Sequence, residues 1–217
     1  MNAAHRDGGP ACRSATRGTG WGAAIVVIAA AIVAAAVAGW DNFATADEPY
    51  HLLAAWTYAA EGHGDFNPEH PPLTKLLAGL ALLPLELGGA RGEPVQRLPM
   101  LSVEIRRFLH HNNVAANEIV RRGRLAMLPW LVLLLAGAYL WARELVGAPA
   151  GMLALVAVAS QPLVLGHAFV VHTDVAAAAT WVWTLRATQR WLSLGGRRWI
   201  GLGGWLGVSL LVLVGAG

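Results

Sequence analysis

The chain has 217 residues, of which 56% are hydrophobic and only 13% are charged. Soluble domains carry about 25% charged residues, so this composition excludes an ordinary soluble globular protein and predicts an all-α, polytopic transmembrane helical bundle. The pI near 9.6 does not indicate nucleic-acid binding, because the Lys and Arg residues flank apolar segments instead of forming one basic face.

Residues 1–20 are polar and basic and include Cys12, the only cysteine, and they predict a disordered cytoplasmic tail. Residues 21–40 form an uncharged apolar run with a tryptophan at each end. About 20 apolar residues cross a hydrocarbon core of about 30 Å, and tryptophan favours its interfaces, so this run predicts the first span. A cleaved signal peptide is the less favoured alternative, because its apolar region would cover only about 7–15 residues.

Residues 41–120 predict a long extracytoplasmic loop that carries short surface helices. They hold ten of the thirteen acidic residues, five of the eight histidines and seven of the eleven prolines. Within the loop, residues 73–87 are apolar but short for a span, which predicts a membrane-surface or re-entrant helix. Residues 104–122 are polar and compatible with a helix.

Four further spans are predicted after this loop, so that residues 21–217 form one membrane domain. Pro162 interrupts the first span after the 147–149 turn, and the last predicted span runs to the end of the sequence. We therefore expect the N-terminal part of a longer membrane domain. The four spans are predicted at residues 125–140, 151–171, 175–191 and 199–217.

The positions of Lys and Arg in short loops predict the orientation of the bundle. With the spans in this order, the basic tail, Arg143 and the arginines between Arg186 and Arg198 lie in the cytoplasm. The 41–120 loop and the short 171–174 turn then face outward together, as in a multi-pass protein of the inner or plasma membrane. Three arginines fall on the outer side and oppose this orientation: Arg121, Arg122 and Arg124.

The first acidic spot is Asp47-Glu48, which follows the first span closely. Thr45 and Glu48 have the spacing of a capping box, and Pro49 suits a first helical turn, so a plain helix start is one interpretation. The other is a carboxylate above the membrane that acts as a general base. Since the two acids are adjacent, we expect similar burial for both, and a loss of about 1 kcal/mol if the Glu48 cap is removed.

Two more acidic spots fall on the predicted outer side. Glu69 and His70 precede two prolines, which indicates either a rigid turn that presents functional groups or a stiff loop. His172 and Asp174 lie between two spans, where Asp174 either serves function or caps the next helix. His167 falls within a predicted span and is interpreted as a hydrogen-bonded core residue. No spacing forms a closed zinc site, and a requirement for a divalent metal stays open.

Taken in order, these residues resemble the phospholipid carrier-dependent glycosyltransferases. The resemblance rests on Asp47-Glu-Pro-Tyr-His51 after a first span, on Asn-Pro-Glu69-His70-Pro-Pro-Leu-Thr-Lys75, and on His172-Thr-Asp174. The stretch 108–124 is similar to the end of that family's first outer loop, and the resemblance covers residues 21–191. The superfamily has the GT-C fold and includes protein O-mannosyltransferases and aminoarabinose transferases. The latter carry a lysine where this sequence has His70.

The resemblance implies transfer of a sugar from a polyprenyl- or dolichyl-phosphate donor to a protein hydroxyl or a lipid, at the outer face of the membrane. Asp47 would be the general base or the carboxylate that orients the substrate. Lys75 or the cluster Arg121–Arg124 would hold the phosphate. The catalytic candidates are Asp47, Glu48, Glu69 and Asp174, and the substrate-binding candidates are His51, His70, Lys75 and His172.

Two other classes of function remain as alternatives. A transporter or channel subunit would carry ionisable residues near the middle of its spans, whereas the acids of this sequence gather near one interface. A non-catalytic membrane assembly protein would need none of the acids for chemistry.

Overall fold

The computed structural model describes residues 19–62, 66–68, 70–85, 87 and 98–193, and every regular element in them is a helix. Residues 1–18 of the predicted tail and the predicted span at residues 199–217 lie outside the described residues, while residues 19 and 20, predicted as part of the tail, begin the first helix. A π-helical turn, Thr57–Glu61, extends the second helix, and a 3₁₀ turn, Leu83–Leu85, extends the third. The α-helices are α1 Thr19–Gly39, α2 Glu48–Trp56, α3 Pro72–Leu82, α4 Leu98–His110, α5 Ala116–Leu125, α6 Leu128–Val146, α7 Ala148–Ala159, α8 Pro162–Ala168 and α9 Asp174–Ser193.

Two helices in the described part of the chain are long and apolar enough to cross a membrane. They are Gly20–Gly39 and the 31-residue segment Ala116–Val146, which joins α5 to α6. A third candidate is the pair α7 and α8, which is bent by 67° at a short break. Pro162 begins α8, because its ring cannot continue the preceding helix. The predicted 151–171 span is therefore interrupted at Pro162, as the sequence predicts.

The later spans differ from the predicted ones in two respects. The predicted span at 125–140 is the middle of a longer helical segment, since polar α5 leads into apolar α6 through a turn at Ala126 and Met127. The predicted span at 175–191 corresponds to α9, which is not among the candidate spans. One of its ends carries Asp174 and the other carries arginines, so it is less apolar than α1 or α6.

The bundle is centred on α6, which packs on α7 and α9, while α1 lies against α6, α7 and α8. Beside it, α2 packs on α3, and α3 packs on α5. A small residue allows the contact between α2 and α3, because a Cβ atom at Gly79 would lie 2.1 Å from the carbonyl oxygen of Ala55. This close approach fixes α2 and thereby the residues at its first turn.

Two separate groups of charged residues, one near each end of α1, form ion pairs. At the Trp21 end, the Arg143 guanidinium lies over the Trp21 ring, and Glu144 pairs with Arg186 and Arg190. The Trp40 end carries the three arginines that oppose the predicted orientation. Each of them has an acidic partner, so their charges are largely compensated: Arg121 pairs with Asp41, Arg122 with Glu118 and Arg124 with Glu48.

Candidate functional site

The first turn of α2 forms as the sequence predicts. The helix begins at Glu48, Pro49 lies in its first turn, and the Thr45 backbone N–H donates to Glu48 Oε2 over 3.2 Å. Only this contact of the predicted capping box forms, because the N-cap residue of α2 is Asp47 instead of Thr45 and no side chain caps the helix. The expectation of similar burial is wrong, however, because Glu48 is fully buried while Asp47 is exposed.

Glu48 forms a buried ion pair with Arg124 of α5. The Arg124 Nε and Nη2 atoms donate to the two carboxylate oxygens over 2.8 and 2.7 Å. The remaining guanidinium N–H groups donate to three backbone carbonyls at and just after the end of α1, and all five donors of the side chain are thereby used. Those carbonyls belong to Gly39, Asn42 and Phe43. The pair joins α1, α2 and α5.

The same carboxylate holds the turn between α8 and α9. The Val171 backbone N–H donates to Glu48 Oε1 over 3.0 Å, although the two residues are 123 positions apart. The first turn of α2 and the 171–174 turn therefore lie at the same end of the bundle. With both oxygens of Glu48 engaged, its side chain holds these segments together and presents no free face to a substrate.

Four histidines lie next to one another beside this ion pair, and we call them the histidine cluster: His51, His70, His167 and His172. The ring centroid of His51 lies 4.7 Å from that of His70 and 5.2 Å from that of His172. His51 is only 2% exposed. The cluster brings together the first turns of α2, the Pro-Pro turn before α3 and the 171–174 turn.

Asp174 lies between two members of the cluster. Its Oδ2 is 2.9 Å from His167 Nδ1, and its Oδ1 is 3.0 Å from His172 Nδ1. The interpretation of His167 as a core residue is wrong, because its side chain is 45% exposed and faces Asp174. The bend between α7 and α8, and the chain reversal after α8, bring it there, and no local pattern in the sequence indicates that reversal.

Lys75 is buried in α3, close to the histidine cluster. Its ammonium group donates to the backbone carbonyl of Asn67 and lies 4.5 Å from the centroid of the Tyr58 ring. Asn67 has a positive φ of 57° and a buried side chain, which fits the tolerance of asparagine for the left-handed region. Lys75 thus orders the turn before α3.

The structure brings some of the predicted carboxylates together. Asp47 is exposed beside His51, and Asp174 is half-exposed at the other side of the cluster. Glu69 lies outside the described residues. The exposed carboxylates Asp47 and Asp174 therefore flank the histidine cluster at the Trp40 end, and we call this group of residues the acidic mouth.

The environment of His51 lowers the pKa of its imidazole from 6.5 to about 4. Burial is the main cause, and the positive charges that His70, His172 and Lys75 carry or acquire add to it, while Asp47 opposes it. His51 is therefore neutral at physiological pH and can accept a hydrogen bond as well as donate one.

We expect the stability of the protein to fall as the pH is lowered from 6.5 to about 4. In that window the unfolded chain binds a proton at His51 and the folded chain does not, so the free energy of unfolding rises with pH. The shift corresponds to about 3 kcal/mol. Unfolding in detergent between pH 4 and 7 should show this slope in wild type and a smaller one in His51→Gln. The exposed control His110→Gln should keep the wild-type slope, and identical slopes in all three proteins would contradict the assignment.

Within the described part of the chain, no group of three or more His, Cys, Asp or Glu side chains has a geometry that could hold a metal ion. Comparison with known proteins gave no match to a family model, to a curated protein or to a solved structure.

Proposed function

We propose that this chain acts as a membrane glycosyltransferase that takes its sugar from a polyprenyl-phosphate donor. The observation that supports it best is the acidic mouth, where Asp47 and Asp174 flank the histidine cluster. The acceptor would be a protein hydroxyl or a lipid, and the membrane the inner or plasma membrane. The GT-C architecture, the multi-pass topology and the outward direction of the mouth are parts of the same proposal.

In the proposed reaction, the acceptor oxygen bonds to the anomeric carbon of the sugar as the bond from that carbon to the phosphate oxygen breaks. The electron pair leaves with the polyprenyl phosphate, and the acceptor proton passes to the Asp47 carboxylate. Asp47 suits this role because it is exposed beside the neutral imidazole of His51. Asp174 would orient His167 and His172, which in turn would contact the acceptor or the sugar.

The buried ionisable groups would hold the site's segments in place without contacting the substrate. Glu48 connects the start of α2 to the 171–174 turn. It would therefore hold the carboxylates of Asp47 and Asp174 at a fixed position relative to each other. Lys75 would stabilise the turn that carries His70. Lys75 and Arg124 are both buried, so neither is assigned to the donor phosphate.

A transporter function is less well supported. In the described candidate spans, α1 carries no charged residue, and the charged residues of Ala116–Val146 lie near its two ends, in α5 and in the last turn of α6. A transporter that uses ionisable groups near the middle of the membrane needs them inside the spans. A non-catalytic assembly protein remains the result to expect if no transfer is found.

The proposal is tested by sugar transfer in proteoliposomes that contain the purified protein. Radiolabelled polyprenyl-phosphate sugars should pass label to a protein or lipid acceptor, whereas the corresponding nucleotide sugars should not. Circular dichroism would establish that the protein is folded. A folded protein that transfers nothing from hexose- or pentose-charged carriers would refute the proposal in favour of an assembly role.

The proposed topology predicts labelling from one side only. In a Cys12→Ser background, Asn113→Cys, between α4 and α5, should react with an impermeant thiol reagent in intact cells. Pro149→Cys, exposed in the first turn of α7, should react only after permeabilisation. The reverse pattern, or labelling of both positions from outside, would overturn the orientation.

A further inference from the structure

An open cleft of about 390 Å³ lies on a different face of α5 from the one that carries Arg124. Its lining combines two guanidinium groups with an indole and aliphatic side chains, and it shares no residue with the acidic mouth. We call it the arginine cleft. The residues that matter for the argument are Trp40, Ala81, Glu118, Arg121, Arg122 and Leu125.

The depth of the cleft follows from the lengths of the candidate spans. The 19 residues of α6 extend about 29 Å, which matches a hydrocarbon core of about 30 Å. Arg122 precedes Leu128 by six residues of nearly continuous helix, or about 9 Å. Trp40 follows directly on α1, the other candidate span. If both helices cross, the two arginines lie at the depth of the lipid headgroups.

Each of the two arginines in the cleft pairs with an exposed carboxylate, and the Arg121 Nε also donates to the Trp40 carbonyl. Arg121 pairs with Asp41, whose side chain is 85% exposed, and Arg122 pairs with Glu118, where both side chains are partly exposed. Exposed ion pairs contribute only about 0–1 kcal/mol. A phosphate could therefore replace these carboxylates and gain charge-assisted bidentate hydrogen bonds from the guanidinium groups.

The surroundings of the cleft are apolar, which suits a lipid better than a free phosphate. Leu125 lines the cleft and is 43% exposed. The neighbouring helix α3, which supplies Ala81, and the 3₁₀ turn after it expose a row of leucines at helical spacing: Leu76, Leu80 and Leu83. Such a row on a helix beside a membrane span is suited to contact with acyl chains.

We propose that the arginine cleft binds one anionic phospholipid of the surrounding bilayer, with its phosphate on Arg121 and Arg122 and an acyl chain against Leu125. This proposal does not rest on sugar transfer. It rests on the position of the cleft at the ends of two candidate spans and on the combination of guanidinium groups with an apolar floor.

The test is a lipid titration of the whole chain in detergent, followed by native mass spectrometry. Phosphatidylglycerol should bind more tightly than phosphatidylcholine with the same acyl chains. The double variant Arg121→Gln/Arg122→Gln should weaken phosphatidylglycerol binding about tenfold or more, as expected for the loss of charge-assisted hydrogen bonds. The matched control is Arg186→Gln/Arg190→Gln at the Trp21 end, which should change it less than about twofold. A further variant, Arg121→Lys/Arg122→Lys, keeps the charge and should lose less than the glutamine pair.

Several outcomes would overturn the proposal. They are equal binding of the two lipids, equal losses in the two glutamine variants, or displacement of phosphatidylglycerol by an equal concentration of inorganic phosphate. Preferential binding of polyprenyl phosphate would also overturn it, because the cleft would then belong to the carrier. A circular dichroism spectrum for each variant ensures that a lost site is not an unfolded protein. The absence of sugar transfer would leave every one of these results unchanged.

Discussion

Replacing Arg124 with leucine should lower the free energy of unfolding by about 3–5 kcal/mol, the usual cost of removing one partner from a buried ion pair. The substitution leaves Glu48 fully buried without a counter-charge and removes the donors to the carbonyls of Gly39, Asn42 and Phe43. Unfolding in mixed detergent, followed by circular dichroism, measures the loss. Glu48→Gln should also be destabilising, by more than the 1 kcal/mol that a capping role alone predicts.

Two comparisons identify the ion pair as the cause. Arg122→Leu removes an arginine from the same helix, but its partner Glu118 is partly exposed, so the expected loss is below about 1 kcal/mol. The double variant Glu48→Leu/Arg124→Leu should be more stable than Arg124→Leu alone, because no buried charge remains. Similar losses in Arg124→Leu and Arg122→Leu would show that the pair has no special role.

The second large effect concerns Asp47. Under the proposed function, Asp47→Asn should reduce sugar transfer by about 100-fold or more, the scale of lost general-base catalysis. The side chain is exposed, caps no backbone group of α2 and is nearly isosteric with asparagine. Stability and membrane abundance should therefore match those of wild type. The measurement is turnover at saturating donor, normalised to folded protein.

The matched control for Asp47 is Asp41→Asn. Asp41 is exposed at the same end of α1 but pairs with Arg121, outside the acidic mouth, so its loss should leave turnover within about twofold of wild type, as for an exposed ion pair. Glu48→Gln is not a suitable control for Asp47→Asn, because Glu48 is buried and its substitution should act through stability. Wild-type turnover in Asp47→Asn would remove Asp47 from catalysis and leave only the helix-start interpretation.

Composition and apolar runs predict the helices that are long and apolar enough to cross a membrane. The first span and the start of α2 agree with the prediction to within a few residues, because tryptophan, proline and capping signals are local. The length of the second candidate span, Ala116–Val146, is not predictable in this way. Residues 116–125 are polar, and only their packing on α3 and around Glu48 makes them continuous with α6.

The candidate site depends on contacts that no local pattern contains. The approach of His51 to His172 requires the chain to return after α8, more than a hundred residues later. In the sequence, Arg124 stands out because it conflicts with the positive-inside rule. In the structure, its buried partner Glu48 compensates its charge. An arginine on the predicted outer side is therefore a useful indication of an ion pair.

The partners of Arg124 also determine the order in which the Trp40 end can assemble. All five of its hydrogen-bond acceptors lie between Gly39 and Glu48, so they have already been synthesised when Arg124 leaves the ribosome. Domains generally form from the N-terminus during synthesis. The first helix, the turn after it and α5 can thus come together before α7, α8 and α9 have left the ribosome. The Val171 N–H then docks onto a carboxylate that is already fixed, and the later helices are added to a template built by the earlier ones.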